Sequence, residues 1–449
     1  MPKLLIGNVY SEAVVGDVSK LPVFTRQEAT VYAKRLAWLL DEDDILILPS
    51  TLSKTMIDYI SRIKNKKITS ANFLPLSTNT DNWLILTSET LLNNELINDL
   101  KTRMSGKTWE IIPYIYSSSI ICFLNELTLS HVELQKPNFM NQAGTNLLNS
   151  KSAFRALVAS HIPIAPGNAC RSAQELYYVM RQQITNSGVI IIKKDFSANG
   201  VGNIAITLCD HLNYAGVREV IKLNDVDDIT IEFSEKLWCS LVDSFGNNLI
   251  VVETYLPSQD TIYAEYYIGK NIDDCKLMNY GIVRMDETQD TIGKGVVNWI
   301  GFQIPPANLS TNIRQQFLDG CELLKQKLLN LGYRGLVNFD AIITQEDQVI
   351  FTEINGRLGG CSHIQPIAEK LIGVNYLDTH FILTRNHVAI NDLLYAINVA
   401  EKLSVANGSG VVIMNEDMNN WKVIDYMVYA KSESSALALE QEFLSILLK

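Results

Sequence analysis

Glu353, Asn355 and Arg357 occupy every second position in FTEINGRLGG, residues 351–360. Val349, Ile350, Phe351 and Ile354 are strand formers, so the segment reads as a β-strand with a carboxylate, an amide and a guanidinium on one face. Upstream, GLVNFDAIIT and VIFTEIN flank the polar turn QEDQ, which predicts a hairpin. With Thr344 opposite Val349 and no bulge, Asp340 falls opposite Glu353 and Asn338 opposite Asn355. A slip of one residue would undo this arrangement. Two carboxylates this close repel, and one takes up a proton unless a cation lies between them. Oxygen donors without sulfur or imidazole suit Mg²⁺, with Mn²⁺ as the alternative ion, and magnesium completes its shell with water and phosphate oxygens. Asp340, Glu353 and Asn355 are therefore candidate metal ligands for a nucleotide phosphate. Arg357 extends the row with a planar fork suited to phosphate or carboxylate. Any one of these side chains reads more plainly as part of a satisfied polar network; the whole set, followed by Gly359-Gly360, favours a metal–phosphate site.

Other segments supply cations and backbone. Lys193 follows Ile191 and Ile192 at the end of the strand GVIIIKKD, where an ammonium can neutralise a phosphate; Lys194 reads as solvated. Ser197, Asn199, Gly200 and Gly202 form a loop whose backbone can approach an anion, although a hairpin turn has the same composition. LIVVETYLP is a buried strand entering a connection, and Glu253 through Tyr255 to Leu256 offer a backbone edge for adenine. Lys151 stands near a helix start and by itself reads as a surface lysine. Arg284 closes the otherwise apolar strand MNYGIVRM. His363 follows a turn, and a structural role weighs there against contact with substrate.

The elements that must position these residues follow from periodicity. Strands at 3–9, at ILILP and at WLILTS (83–88) alternate with helices at 26–40, Thr51–Ile63 and 89–102. IIPYIYSSS adds a strand near 111–119, and SSSIICFL has the length of a core strand. Strand–helix alternation predicts a doubly wound parallel sheet, closing near residue 125. Helices follow at 151–160 and from Ser172 to Ile184, then strands at 188–195 and 203–208, a helix near 211–223 and a strand at 249–253. The chain turns β-rich after Pro257. A helix at 310–331, the hairpin 336–355 and an α/β tail complete it. This predicts α/β and α+β lobes at 1–125, 126–256 (with a mobile part at about 185–256), 257–385 and 386–449.

Bulk properties limit the alternatives. The chain has 449 residues, 47% hydrophobic and 19% charged, with a net charge of −11. That composition supports large packed cores and argues against disorder. The acidic balance makes nucleic acid an unsuitable partner. MPKLLIGNVYSEAVVGD does not have the form of a signal peptide, and no run approaches the ~20 apolar residues of a spanning helix. Seven cysteines, scattered singly without CxxC, argue for a reducing compartment and against zinc. A cytoplasmic protein without a membrane partner is expected.

These pieces occur together in an order that resembles the ATP-grasp superfamily of carboxylate–amine ligases. The resemblance runs from about 126 to 385 through Lys151, VIIIKK and its glycine loop, VVETYL, VRM, FDAII and FTEINGR. The whole chain is similar to the peptide ligases of the pheganomycin type. KLLIGNVYSEAVVGD resembles their Rossmann-like pre-ATP-grasp domain, and EINGRLGGCSH their EIN-x-R-x-GG-x-x-H signature. MDETQDTIGKGVVNWIGFQIP resembles their turn-and-aromatic strand. The resemblance implies ATP on Lys151, Lys193 and loop 197–202, with adenine at Glu253–Leu256 and the ribose on Asp260 or Glu265. It further implies two Mg²⁺ ions on Asp340, Glu353 and Asn355. Arg284 and Arg357 would grip the γ-phosphate and acyl group, and Gly359, Gly360 and His363 would face substrate. The implied reaction joins an amino acid or modified amino acid to an amine, an amino acid or a peptide, through an acyl phosphate. Homodimers are common in such families. A carboxylase- or kinase-type relative and a nucleotide-binding regulator without turnover are the rival readings.

Overall fold

The computed structural model describes residues 1–77, 85–129, 133–135, 137–197, 200, 202–209, 214–243, 248–286, 296–307, 309–404 and 408–447. The N-terminal sheet contains β1 (Lys3–Ile6), β2 (Ile45–Ser50), β3 (Phe73–Ser77), β4 (Thr108–Pro113) and β5 (Glu133–Gln135). Its order is β3-β2-β1-β4-β5 with every pair parallel, the doubly wound arrangement predicted. Leu4–Ile6 and Ile45–Leu48 are buried without alternation, as strands covered on both faces must be.

Two expectations fail in this lobe. The third strand is Phe73–Ser77; of WLILTS, Trp83 and Leu84 lie outside the described residues and Ile85–Thr87 form no strand. SSSIICFL lies in the helix Ser118–Leu129. Ile120, Phe123, Leu124 and Leu127 are fully buried at helical spacing, so the period of the apolar positions outweighs the look of a continuous run.

The second sheet contains β6 (Gly167–Cys170), β7 (Val189–Lys194), β8 (Asn203–Thr207), β10 (Glu219–Lys222) and β11 (Ile250–Thr254), ordered β10-β8-β7-β11-β6. The short β9 (Tyr214–Ala215) precedes β10. The predicted helix near 211–223 does not form over its described part: Tyr214 and Val217 are buried as strand and turn residues, and Val217 lines the cleft. The helix lies later, at Ile231–Leu241, where the Thr230 side chain accepts from the Phe233 amide. This helix and Ala173–Ser187 cover one face of the sheet, leaving Ile191, Ala205 and Val217 on the other.

The third sheet takes β12 (Ser258–Ile268), β13 (Lys276–Asp286), β14 (Val296–Ile304), β15 (Gly335–Thr344), β16 (Val349–Asn355), β17 (Phe381–Ala389), β18 (Gly410–Asp417) and β19 (Val423–Ala430). Its order is β16-β15-β12-β13-β14-β17-β19-β18, and β9 pairs with β14 across the cleft. The boundary drawn at 385/386 therefore falls inside β17, and the tail continues this sheet. The helix Thr311–Leu331 backs β12, β15 and β16 with Phe317, Cys321, Leu324 and Leu328 fully buried. Gly320 sits in its middle because a Cβ there would come within 2.4 Å of Phe351. The ~1 kcal/mol lost to a helical glycine is offset by the stacked Phe317–Phe351 pair, 5.7 Å apart.

Candidate active site

The hairpin forms, with Asn338 opposite Asn355 and Asp340 opposite Glu353. The route to that register differs from the prediction. Near the turn Ile343 pairs with Val349, so Thr344 does not oppose Val349; a bulge at Thr352 then restores the predicted pairing. The bulge also decides the faces. Val349, Phe351 and Ile354 enter the core, while Ile350, Glu353 and Asn355 line the cleft. Strict alternation would have put Phe351 beside Glu353. The Thr352 hydroxyl secures the bulge by donating to the Asp340 carbonyl at 3.1 Å.

The three predicted ligand residues meet, with the Asn355 amide nitrogen turned to the two acids and its oxygen to Arg357. Asn355 Nδ2 donates to Asp340 Oδ2 at 2.6 Å and to Glu353 Oε1 at 3.1 Å. Burial, then the Glu353 charge, pushes the Asp340 carboxyl up to about 7. Burial acts in the same sense on Glu353, but Lys151, the Asn355 amide, Arg357 and Lys193 together hold it below the usual carboxylate range. The two acids thus share a site that favours a proton or another cation between them, and the donor set fits a hard divalent ion. Among the described residues no three His, Cys, Asp or Glu side chains gather as a metal cluster. Arg357 Nη2 donates to Asn355 Oδ1 at 2.8 Å, while its buried Nε has no partner.

Lys151 is no surface lysine. It is the first residue of the helix Lys151–Val158 and is buried, its Nζ 3.0 Å from the Ser197 carbonyl and 3.5 Å from Glu353 Oε2. Burial lowers its pKa despite Glu353. Lys193, rather than Lys194, faces the cleft and pairs with Glu253 Oε2 at 2.6 Å. Arg155, one helical turn after Lys151, holds the other Glu253 oxygen at 2.6 Å and the Gly167 carbonyl at 2.7 Å. Sequence reasoning missed it, although its i+4 spacing from Lys151 was a readable signal. Ser197 and Gly200 line the cleft; Ser197 Oγ is buried without a partner. Gly202 packs behind them, where a Cβ would meet Ser197 at 2.5 Å. Asn199 lies outside the described residues. Tyr255 and Leu256 line the same cleft, but the Tyr255 amide already donates to the Val189 carbonyl at 3.1 Å.

Three predicted roles need correction. Arg284 does not face the cleft. Its strand neighbours Val283 and Met285 do, and alternation turns Arg284 to the other side. There it makes a bidentate pair with Glu440 at 2.8 Å and donates to the Thr384 carbonyl. Asp260 does not line the cleft either, because a bulge before it leaves Ser258 and Thr261 on that wall. Glu265 is buried beneath the site, bonded to Ser362, to Asn279 at 3.0 Å and to Asn338; burial raises its carboxyl to about 6. The Gly359 amide donates to Ser362 Oγ at 2.8 Å. Gly359 and Gly360 do line the cleft, as does His363, which is buried with Nε2 unpartnered. Burial, reinforced by Arg35, keeps His363 neutral.

The cleft runs between the second and third sheets and ends against the first, where Val9, Tyr10, Tyr32, Arg35 and Tyr114 close it. Among the described residues no helix is long and apolar enough to cross a membrane, and all seven cysteines are free thiols.

Residues 33–129 match the Pre ATP-grasp domain model. No significant match was found among curated protein sequences. Similar solved structures include the ADP complex of N5-carboxyaminoimidazole ribonucleotide synthetase (purK), 9% identical with a TM-score of 0.57 over 99% of this chain and 97% of that one. Biotin carboxylase from Campylobacter jejuni in complex with β,γ-ATP is 13% identical, with a TM-score of 0.57 over 100% and 95%. The biotin carboxylase domain of Hydrogenobacter thermophilus 2-oxoglutarate carboxylase, with MgADP, ADP and bicarbonate, is 12% identical, with a TM-score of 0.56 over 99% and 89%. The chain has the ATP-grasp fold, preceded by a pre-ATP-grasp domain.

Proposed function

We propose that the protein is an ATP-dependent ligase that activates a carboxylic acid as its acyl phosphate and joins it to an amine. One observation carries this reading: Asp340, Glu353 and Asn355 share one face of a hairpin opposite Lys151 and Lys193 in a single cleft. Bound nucleotides in structures of the same fold support placing ATP there. Asp340, Glu353 and Asn355 would hold Mg²⁺, which when bound screens the phosphate charge.

The chain's own groups supply the rest. Lys151 and Lys193 meet the phosphates, exchanging their contacts with Glu353 and Glu253 for phosphate oxygens. Arg155 keeps Glu253 in place as Lys193 makes that exchange. Arg357 turns its unpartnered Nε–H towards the transferring phosphoryl group. A substrate carboxylate oxygen attacks the γ-phosphorus as the bond to the bridging oxygen breaks, and ADP leaves. The amine nitrogen then attacks the acyl carbon and phosphate departs; the amine's proton passes to solvent or phosphate. The β9–β14 pairing closes the cleft over this chemistry and excludes water. The deciding experiment supplies Mg²⁺ and ATP with a panel of acids and amines, measures ADP release and detects the coupled product by mass. ADP release requiring both an acid and an amine is expected.

Carboxylation is the second reading, because bicarbonate is bound in one structure of this fold. Bicarbonate-dependent ADP release without an amide product would establish it in place of the ligase.

A further inference from the structure

A second cavity lies on the far side of Arg357 from the cleft. Its volume is about 920 Å³, within the ~300–1,000 Å³ of small-molecule sites. It is bounded by β4 of the first sheet, the connection from the helix Thr311–Leu331 into β15, and the segment that follows β16. Tyr114 and Arg357 line both spaces and form the partition between them. The Arg357 guanidinium stands 6.0 Å from the centre of the Tyr114 ring, and the Leu358 amide donates to the Tyr114 carbonyl at 3.0 Å. Ile111, Phe139, Met140, Met278 and Leu336 make much of the wall apolar. The described lining residues carry four cations, Lys3, Lys270, Arg334 and Arg357, against one acid, Glu110, in a chain of net charge −11. Lys3 is paired with Asp41 and Asp44, and Arg357 is bonded to Asn355. Lys270 and Arg334 form no ion pair among the described residues; Arg334 donates to the carbonyls of Leu329, Tyr333 and Lys270. Tyr116, 5% exposed, is on the same wall, and its Oη has no hydrogen-bond partner. Burial, followed by the Glu110 charge, pushes its pKa up, so the phenol stays a donor. A buried donor left unpaired is costly. Two uncompensated cations and that donor around an apolar space complement an anion on an apolar body.

We propose that this cavity binds a second small molecule, an organic carboxylate with an apolar body, and that its occupancy adjusts the active site through Arg357 and Tyr114. Lys270 and Arg334 supply the charge; they are neighbours, with Arg334 Nη2 3.4 Å from the Lys270 carbonyl. Tyr116 supplies the buried donor. The apolar body lies along Phe139, Met140 and Leu336. A molecule against the far side of Arg357 changes where its guanidinium rests in the cleft. Any effect of that molecule on nucleotide affinity is returned, by the same factor, on its own affinity. The site uses none of the cleft's chemistry, so it stands whether the cleft makes an amide or carboxylates.

The test uses calorimetry on the full chain, with octanoate, N-acetyl-L-leucine and octylamine as probes, each with and without MgADP. One molecule of either carboxylate per chain is expected, bound at least ~10-fold tighter than octylamine. Lys270→Glu and, as a second variant, Arg334→Gln should each weaken octanoate at least ~10-fold, while Lys270→Glu leaves MgADP affinity and melting temperature unchanged. Saturating octanoate should shift the dissociation constant of MgADP, and MgADP should shift that of octanoate equally. Octylamine binding as tightly as octanoate would overturn the choice of an anion. Octanoate binding that survives both substitutions would overturn the placement, as would full competition with MgADP, which would put the probe in the cleft. Octanoate and MgADP binding independently would sink the link through Arg357.

Discussion

Asp340 and Glu353 behave as one unit, and the unit has a measurable signature. Without metal, Asp340 has a folded pKa of about 7, above the ~3.9 of an unfolded aspartate. Through this group the protein loses stability as pH rises from ~4 to about 7, and no more above that. Asp340→Asn removes the penalty, so at pH 8 without Mg²⁺ it should be more stable to urea, by up to ~4 kcal/mol, while losing turnover. Nucleotide with Mg²⁺ must displace the proton, and calorimetry in buffers of different ionisation enthalpy should show proton release below about pH 7. Glu353→Gln should keep the fold and cut ADP release at least ~100-fold. The acids and their amide were legible in the sequence because type and spacing together specified them. Arg155 was not, because its partners Glu253 and Gly167 stand on other strands.

The bulge at Thr352 shows how far an element departs from its ideal pattern. Residue spacing predicted which side chains meet, but an unbulged strand would have put Phe351 on the catalytic face. The same limit applies to β13, where a sequence pattern cannot say which side of a two-sided strand is the cleft. Arg284 is a structural cation, and its removal leaves Glu440 buried and unpaired. Arg284→Ala should cost ~3–5 kcal/mol in urea unfolding with little change in kcat per folded molecule. Arg357→Ala should do the reverse, lowering kcat ~10²–10³-fold with a small change in unfolding midpoint. Equal effects of the two on stability and turnover would contradict the assignment of faces.

At the scale of the molecule, the tail joins the first lobe to the third sheet. Arg35 donates to Asp425 Oδ2 at 2.8 Å and to Asn386 Oδ1 at 2.9 Å. Trp38 donates to the Met414 carbonyl at 2.7 Å, and Asn415 to the Val31 carbonyl at 2.9 Å. One hydrophobic core continues from Leu46 and Trp38 to Ile413 and Val428. The Asp425 carboxyl would be raised by its burial, but Arg35, followed by His387, holds it down at about 2. This depressed pKa contributes stability that is full above pH ~4 and lost as pH falls towards about 2. Asp425→Asn should flatten the acid limb of the stability profile and lower stability by ~2–3 kcal/mol at neutral pH, measured by chemical unfolding from pH 2 to 7.

By itself the sequence determined the doubly wound first lobe, the helix behind the hairpin and the row Asp340–Glu353–Asn355, because periodicity and short-range spacing encode local structure and face. Tertiary structure alone decided that Lys151 is buried, that Arg284 faces away, and that residues 386–449 continue the third sheet and share a core with the first lobe. Those outcomes depend on contacts between segments hundreds of residues apart, and only packing brings such segments together.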